Sequence, residues 1–248
     1  MSLPSLAQRL ALRERPARRV AMLQRWDALA FVHWEIEPAR IQATLPPGLR
    51  VDTFDGRAFV GVVPFFMNRV HPAGLPCVPW ISDFLELNVR TYVHDERGRP
   101  GVWFYSLDCN QPVAIWAARH FFGLPYFRAR MSATRGVDGT ISYSSTRCDS
   151  EAAAAFTYSY EGEAFPAQPG SLEFFLIERY LLYSWKRTGL FSGQVHHPPY
   201  SLKSIALPRA KQSFITGLGF ADAECAPVHI IGCEGLAVEI FPLERVAG

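Results

Sequence analysis

The sequence predicts an α+β fold: mainly an antiparallel β-sheet closed into a barrel around a central cavity, with helices on its flanks. Three observations carry this expectation. Apolar and polar residues alternate in short runs, and Gly-containing turn signals separate those runs at hairpin spacing. So many candidate strands fall in one chain of 248 residues that closing the sheet is the simplest way to remove its edges.

Taken in order, "DALAFVHWEI" (27–36) opens the set of strands. "EPARIQATLPPGL" (37–49) reads as a short helix stopped by Pro46-Pro47. "RVDTFDGRAFVGVVPF" (50–65) places Asp55-Gly56 between two apolar runs, a strong hairpin signal. "LELNVRTYVHDERGRPGVWFYSLD" (85–108) repeats that plan around a longer charged turn, and 127–149 repeats it around Asp138-Gly139. Between them, "QPVAIWAARHFFG" (111–123) has Pro112 near its start and Gly123 past its end, the asymmetry of a helix. "AAAAFTYSYEG" (152–162) is a further strand. "GSLEFFLIERYLLYSWKRTG" (170–189) predicts the longest helix, capped by Ser171, ended by Gly189 and apolar along Leu172, Phe175, Ile177, Leu181, Leu182 and Trp185. Residues 208–217 predict a short helix, and "VHIIGC" (228–233) and "LAVEIFPL" (236–243) two closing strands. The expected organisation is an N-terminal arm (1–24) and one domain (25–248), because strands on both sides of the Pro-rich stretch 160–171 can join one sheet.

Composition narrows the class of function. The chain is 49% hydrophobic and 19% charged, an ordinary globular balance, and its formal net charge of +2 argues against a dedicated nucleic-acid surface. Only Lys186, Lys203 and Lys211 are lysines; the other 22 of the 25 basic residues are arginines. The five cysteines are widely spaced with no C-x-x-C pair, which points to free thiols in a reducing, cytoplasmic compartment. No apolar run has the length of a membrane span, so no membrane partner is expected. Residues 1–25 are rich in arginine. A docked or mobile arm is the simpler reading of them and an organellar transit peptide the competing one.

Alternate strand residues share a face. Over 85–93 that puts Glu86, Asn88, Arg90 and Tyr92 on one face and Leu85, Leu87, Val89, Thr91 and Val93 on the other. Tyr126, Arg128 and Arg130 share a face of the next strand but one, and Trp103 and Tyr105 one of the strand between. The plain reading sends these polar faces to solvent. The functional reading turns Glu86, Asn88, Arg90 and Arg128 inward to hold a ligand, between walls supplied by Tyr92, Trp103 and Tyr126. A buried arginine needs a counter-charge, and Glu86 or an anionic ligand serves.

Six blocks, "LPPGLRVDTFDGRAFVGVVPF", "ELNVRTYV", "GVWFYSLD", "GLPYFRARM", "PGSLEFFLIERYLLY" and "HHPPYSL", together resemble the uncharacterised DUF2071 (YqjF-like) family, from about Arg25 to about Leu243. That family is similar to the acetoacetate decarboxylase-like superfamily, and the resemblance implies a cone-shaped antiparallel barrel with a central cavity. The decarboxylase uses a Schiff-base lysine activated by a neighbouring lysine and a desolvated pocket. The resemblance places the matching corner at "GLPYF", where Tyr126 and Phe127 stand in place of the lysine pair and neither forms an imine. It also aligns Glu86 with an acidic residue of the decarboxylase cavity. Lys203, in a probable strand, is the one lysine with a path to the cavity, although a surface position is the commoner fate of a lone strand lysine.

Other constellations are weak. His196 and His197 are adjacent and would point to opposite sides of a strand, so no metal site is expected there. His33 and His120, alone in apolar settings, read as packed and hydrogen-bonded. "GLGFADAE" (217–224) is only a faint glycine pattern without the strand that a dinucleotide site needs, and no cofactor is expected. The leading expectation is a small-molecule-binding barrel for an anionic ligand, a carboxylic or keto acid. Arg90 and Arg128 hold its carboxylate, Asn88 orients it, Glu86 moves a proton, and Trp103, Tyr105 and Tyr126 shape the pocket. With turnover this is a lysine-independent lyase or isomerase; without it, a sensor or binding protein. A third reading is a structural barrel filled by an internal salt-bridge network. The sequence is compatible with a homo-oligomer.

Overall fold

The chain is described by a computed structural model over residues 3–220 and 225–246. Thirteen strands among these residues form one sheet: β1 (Met22–Ile36), β2 (Leu49–Val51), β3 (Ala58–Pro72), β4 (Phe84–Asp95), β5 (Pro100–Cys109), β6 (Tyr126–Arg135), β7 (Ile141–Arg147), β8 (Ala153–Pro166), β9 (Leu181–Lys186), β10 (Gly189–His196), β11 (Ser201–Gln212), β12 (His229–Ile240) and β13 (Glu244–Arg245). Five short helices accompany it: α1 (Leu6–Ala11), α2 (Pro38–Gln42), α3 (Pro112–Ala117), α4 (Leu172–Ile177) and α5 (Phe214–Gly217). The result is a mostly-sheet α+β fold. The pairings are antiparallel except where β5 runs parallel to β6 and to β9.

The sheet returns on itself twice. One ring of paired strands runs β10–β9–β5–β4–β3–β1–β12 and closes through β10–β12. The other runs β5–β6–β7–β8–β11–β12–β1–β3–β4 and closes through β4–β5. The shared strands are therefore buried on both faces. In β1, Ala28, Ala30, Val32 and Trp34 join the core of the second ring, whereas Leu29 and Phe31 join that of the first. Val60, Val89, Tyr143, Phe156 and Ile205 belong to the same buried core of the second ring.

Local chemistry explains most elements. Asp55 and Gly56 both take positive φ (49° and 77°), the geometry of a tight hairpin turn, and Phe54 and Arg57 exchange backbone hydrogen bonds across it. Ser171 caps α4 by accepting from the Phe174 amide at 3.2 Å. After α3 the chain makes one π turn (Ala118–Phe122) and stops at Gly123, whose φ of 62° is left-handed. A Cβ there would also sit 2.9 Å from the Lys186 stem, so Gly123→Ala is expected to cost roughly 1–2 kcal/mol in denaturant unfolding.

Three expected elements differ. The helix over 170–189 ends at Ile177, and 181–196 is instead the hairpin β9–β10. A short apolar run such as Leu181–Trp185 is ambiguous in period, and pairing with β10 decides it. The helix over 208–217 shrinks to α5 because β11 continues to Gln212, with Pro208 inside a register shift opposite β8. The two closing strands are one, since β12 runs unbroken past Gly235. Residues 221–224 of the faint glycine pattern lie outside the described residues.

The N-terminal arm is docked. Arg9 forms two hydrogen bonds to Asp52 (2.7 and 2.8 Å), Arg13 lies 3.3 Å from Glu178, Arg15 pairs with Glu239 and Arg18 with Glu244. The Arg9 and Arg13 guanidinium groups also lie over the rings of Phe175 and Phe174. All five cysteines are free. Among the described residues no helix is long and apolar enough to cross a membrane.

Candidate functional site

The first ring encloses a cavity of about 350 Å³. Each of its seven strands contributes to the wall, for example Trp26 of β1, Met67 of β3, Glu86 and Arg90 of β4, Phe104 of β5, Leu182 of β9, Val195 of β10 and Ile240 of β12. Tyr126 at the start of β6, Ala114 and Ala117 of α3 and Ala118 of the π turn also line it. The wall is mostly apolar and carries a few polar groups, as in small-molecule sites.

Glu86 is buried and its Oε2 accepts the Tyr126 hydroxyl at 2.6 Å. Burial raises its carboxyl from 4.5 to about 7, against the lowering effect of that hydrogen bond. Tyr126 is held as a phenol, pushed well above its ordinary value by burial and then by the Glu86 charge. The second hydroxyl on this corner, Tyr143, donates to the Glu86 backbone carbonyl at 2.8 Å and holds the strand rather than the carboxyl. A carboxyl balanced near neutrality, in contact with one phenol and facing a cavity, is equipped to take up and return a proton.

Farther along β4, Arg90 is 7% exposed, and no carboxylate among the described residues lies within 4 Å of it. One long hydrogen bond to the Leu176 carbonyl (3.4 Å) and the rings of Phe31 and Tyr92, at 5.3 and 5.6 Å, are its neighbours, and its Nε is unpartnered. Arg179 also lines the cavity, and its guanidinium too lies over the Tyr92 ring, at 5.1 Å. Its Nε donates to Phe175 O at 2.6 Å and its Nη1 to Asp52 at 2.7 Å, while Nη2 has no partner. Burial lowers the Arg179 guanidinium to about 10 against the opposing pull of Asp52. Asp52 also serves Arg9, so two arginines share one carboxylate at this end while Arg90 pairs with none among the described residues. Glu178 is taken by Arg13, the Tyr180 hydroxyl and the Tyr200 amide. The deep end of the cavity is thus built with surplus positive charge.

The other sequence-predicted residues are placed differently. Asn88 is buried between Glu86 and Arg90 with an unpartnered Oδ1, but it does not reach the cavity wall. Trp103 and Tyr105 lie outside the cavity. Val89 pairs with Ser106 and Arg90 with Phe104, so Tyr105 is the extra residue of a β-bulge. The bulge turns Val102, Phe104 and Leu107 inward, packs Trp103 against Leu49 and Val93, and sends Tyr105 to Thr44, which it meets at 2.7 Å. Arg128 is exposed and lies in a shallow groove with Ile115, Trp116 and Arg119, whereas the alanine face of α3 borders the cavity. Arg179 and Tyr200, both cavity residues, were hidden by the helix expected over 170–189 and by the absence of any strand pattern around 197–200.

The lysines all stay outside. Lys203 pairs with Glu234 at 3.1 Å, Lys186 donates to the Phe121 carbonyl at 2.7 Å, and Lys211 is exposed. His197 stacks on Tyr180 at 4.5 Å while His196 pairs with Glu239. His33 is buried between Tyr92 and His229, at 2.7 and 3.0 Å, and His120 is exposed on the face of Trp116. No group of three His, Cys, Asp or Glu side chains among the described residues is arranged to hold a metal ion.

Comparison with known proteins gives the context. The family described as DUF2071, uncharacterized conserved protein, matches residues 23–237. The uncharacterized protein YqjF of Bacillus subtilis (strain 168) is 37% identical over 183 residues, covering 74% of this chain and 75% of that protein. An acetoacetate decarboxylase-like enzyme from Sphingomonas wittichii RW1 has a similar fold, with a TM-score of 0.65 at 14% identity over 93% of this chain and 94% of the other. The enduracididine biosynthesis enzyme MppR, complexed with the condensation product of pyruvate and imidazole 4-carboxaldehyde, gives 0.64 at 13% identity over 93% and 91%. Acetoacetate decarboxylase from Legionella pneumophila subsp. pneumophila str. Philadelphia 1 gives 0.63 at 14% over 100% and 97%.

Proposed function

The chain belongs to the DUF2071 family, and we propose that it binds a carboxylic or keto acid in the cavity of its first ring and moves a proton on it without imine chemistry. The single observation that carries the reading is Arg90, a buried cation in the cavity wall with no carboxylate partner among the described residues. Burying an unpaired charge costs several kcal/mol, and an anionic ligand offsets that cost. Glu86 is the proton carrier and Tyr126 the group that orients it. A Schiff base needs an amine facing the cavity, and the three lysines point elsewhere.

The test is exchange with deuterated water of the protons beside the keto group of bound keto acids, that group being placed at increasing distance from the carboxylate, followed by NMR. Exchange is expected to rise with pH through about 7 as Glu86 ionises. Glu86→Gln is expected to slow it by roughly 10²–10⁴-fold while leaving binding within about threefold. Keto acids that bind without any exchange in the wild-type protein would support instead a sensor or binding protein.

Glu86 also sets a stability prediction. Its folded value is raised, so its contribution is fully present below the unfolded value of 4.5 and is lost as pH rises through about 7. The loss is on the order of 3 kcal/mol. Urea unfolding of wild type and Glu86→Gln from pH 5 to pH 8 should show this decline in the wild type alone.

A further inference from the structure

We infer that the ligand is an extended, amphipathic monocarboxylate: its carboxylate sits at the deep end on Arg90 and Arg179, and an apolar body runs past Glu86 toward the mouth. This rests on the reading of Arg90 as the anion site and adds to it the shape and polarity of what is bound.

Four observations lead there. First, the two chemical ends of the cavity are separated. Glu86 and Arg90 are four residues apart on one strand, so their Cα atoms stand roughly 13 Å apart, and a ligand serving both must be extended. Second, the positive end is closed. Arg90 and Arg179 are 7% and 6% exposed, and the docked arm covers that side with Arg9 on Asp52 and Arg13 on Glu178. The opposite end opens between Pro72, Ile81 and Val113, all exposed, so the ligand enters with its carboxylate leading. Third, much of the remaining wall is apolar: Phe84, Phe104, Leu107, Leu182 and Val195 offer a chain nothing to hydrogen-bond. Fourth, past Val113 at the mouth, Ala114 and Ala117 of α3 and Ala118 of the π turn line the cavity at i, i+3 and i+4, and these small side chains leave width for a chain beside the helix.

Volume sets the length. At about 30 Å³ for a water-sized group, 350 Å³ takes roughly a dozen non-hydrogen atoms. The carboxylate uses three, which leaves roughly nine for the body.

The experiment is calorimetric titration of the full chain with straight-chain saturated carboxylates from acetate to dodecanoate, with the matching primary alcohols alongside. Affinity is expected to rise about threefold to fourfold per methylene and to level off near roughly ten carbons. The alcohols are expected to bind at least tenfold more weakly. Ala118→Leu is expected to move the plateau to chains shorter by about three carbons, the number the substitution adds; Ala114→Leu repeats the test at a second position should the first variant fold poorly. Equal binding of acetate and octanoate would overturn the inference and leave the anion site standing. Equal binding of acids and alcohols, or no binding at any length, would overturn both.

Discussion

Replacing Arg90 by methionine is expected to weaken carboxylate binding by roughly 10- to 100-fold, the worth of a charge-assisted hydrogen bond at about 1.5–3 kcal/mol. The same variant is expected to melt at the same temperature as the wild type or higher. Its cation–π contacts with Phe31 and Tyr92 are worth about 0.5–2 kcal/mol each, while the desolvation of an unpaired guanidinium costs several. The desolvation wins because no carboxylate among the described residues lies within 4 Å to repay it. A residue that is retained for stability behaves in the opposite way, so titration calorimetry and thermal unfolding of one variant together separate a binding role from a structural one.

Asp52→Asn is expected to be the most destabilising single polar substitution in the molecule, at about 3–5 kcal/mol. Asp52 is fully buried and binds Arg9 and Arg179 at 2.7 Å each. Removing its charge strands two arginines at once and releases the arm from its main anchor. Burial by itself raises the Asp52 carboxyl, but Arg179 and Arg9 more than reverse this and hold it below its ordinary 3.8. Its contribution is therefore present above that value and is lost as pH falls below it. Equilibrium unfolding in urea at pH 7 and at pH 3 checks both: the gap between wild type and variant should be wider at the first than at the second.

The hairpins were legible in the sequence because their determinants are local. Asp55-Gly56 and the alternation of 84–95 specify turn and strand without help from the rest of the chain. The inward face of β4 was legible for the same reason, and with it Glu86 and Arg90. The face of β5 was not, because a bulge created by pairing with β4 shifts the alternation by one residue at Tyr105, and no local pattern announces it. Arg128 was misplaced because alternation gives a face but not how far along the strand the cavity extends. Arg179 was missed because "LIERYLLYSW" satisfies a helical period as well as a strand period, and only the partner strand β10 distinguishes the two.

The most direct measurement is a crystal structure of the chain soaked with octanoate. The carboxylate is expected within about 3.2 Å of the Arg90 guanidinium, with the chain lying past Glu86 and Tyr126 and its end at the mouth beside Val113. A carboxylate at the mouth with the methyl end against Arg90, or an empty cavity at saturating octanoate, would contradict it.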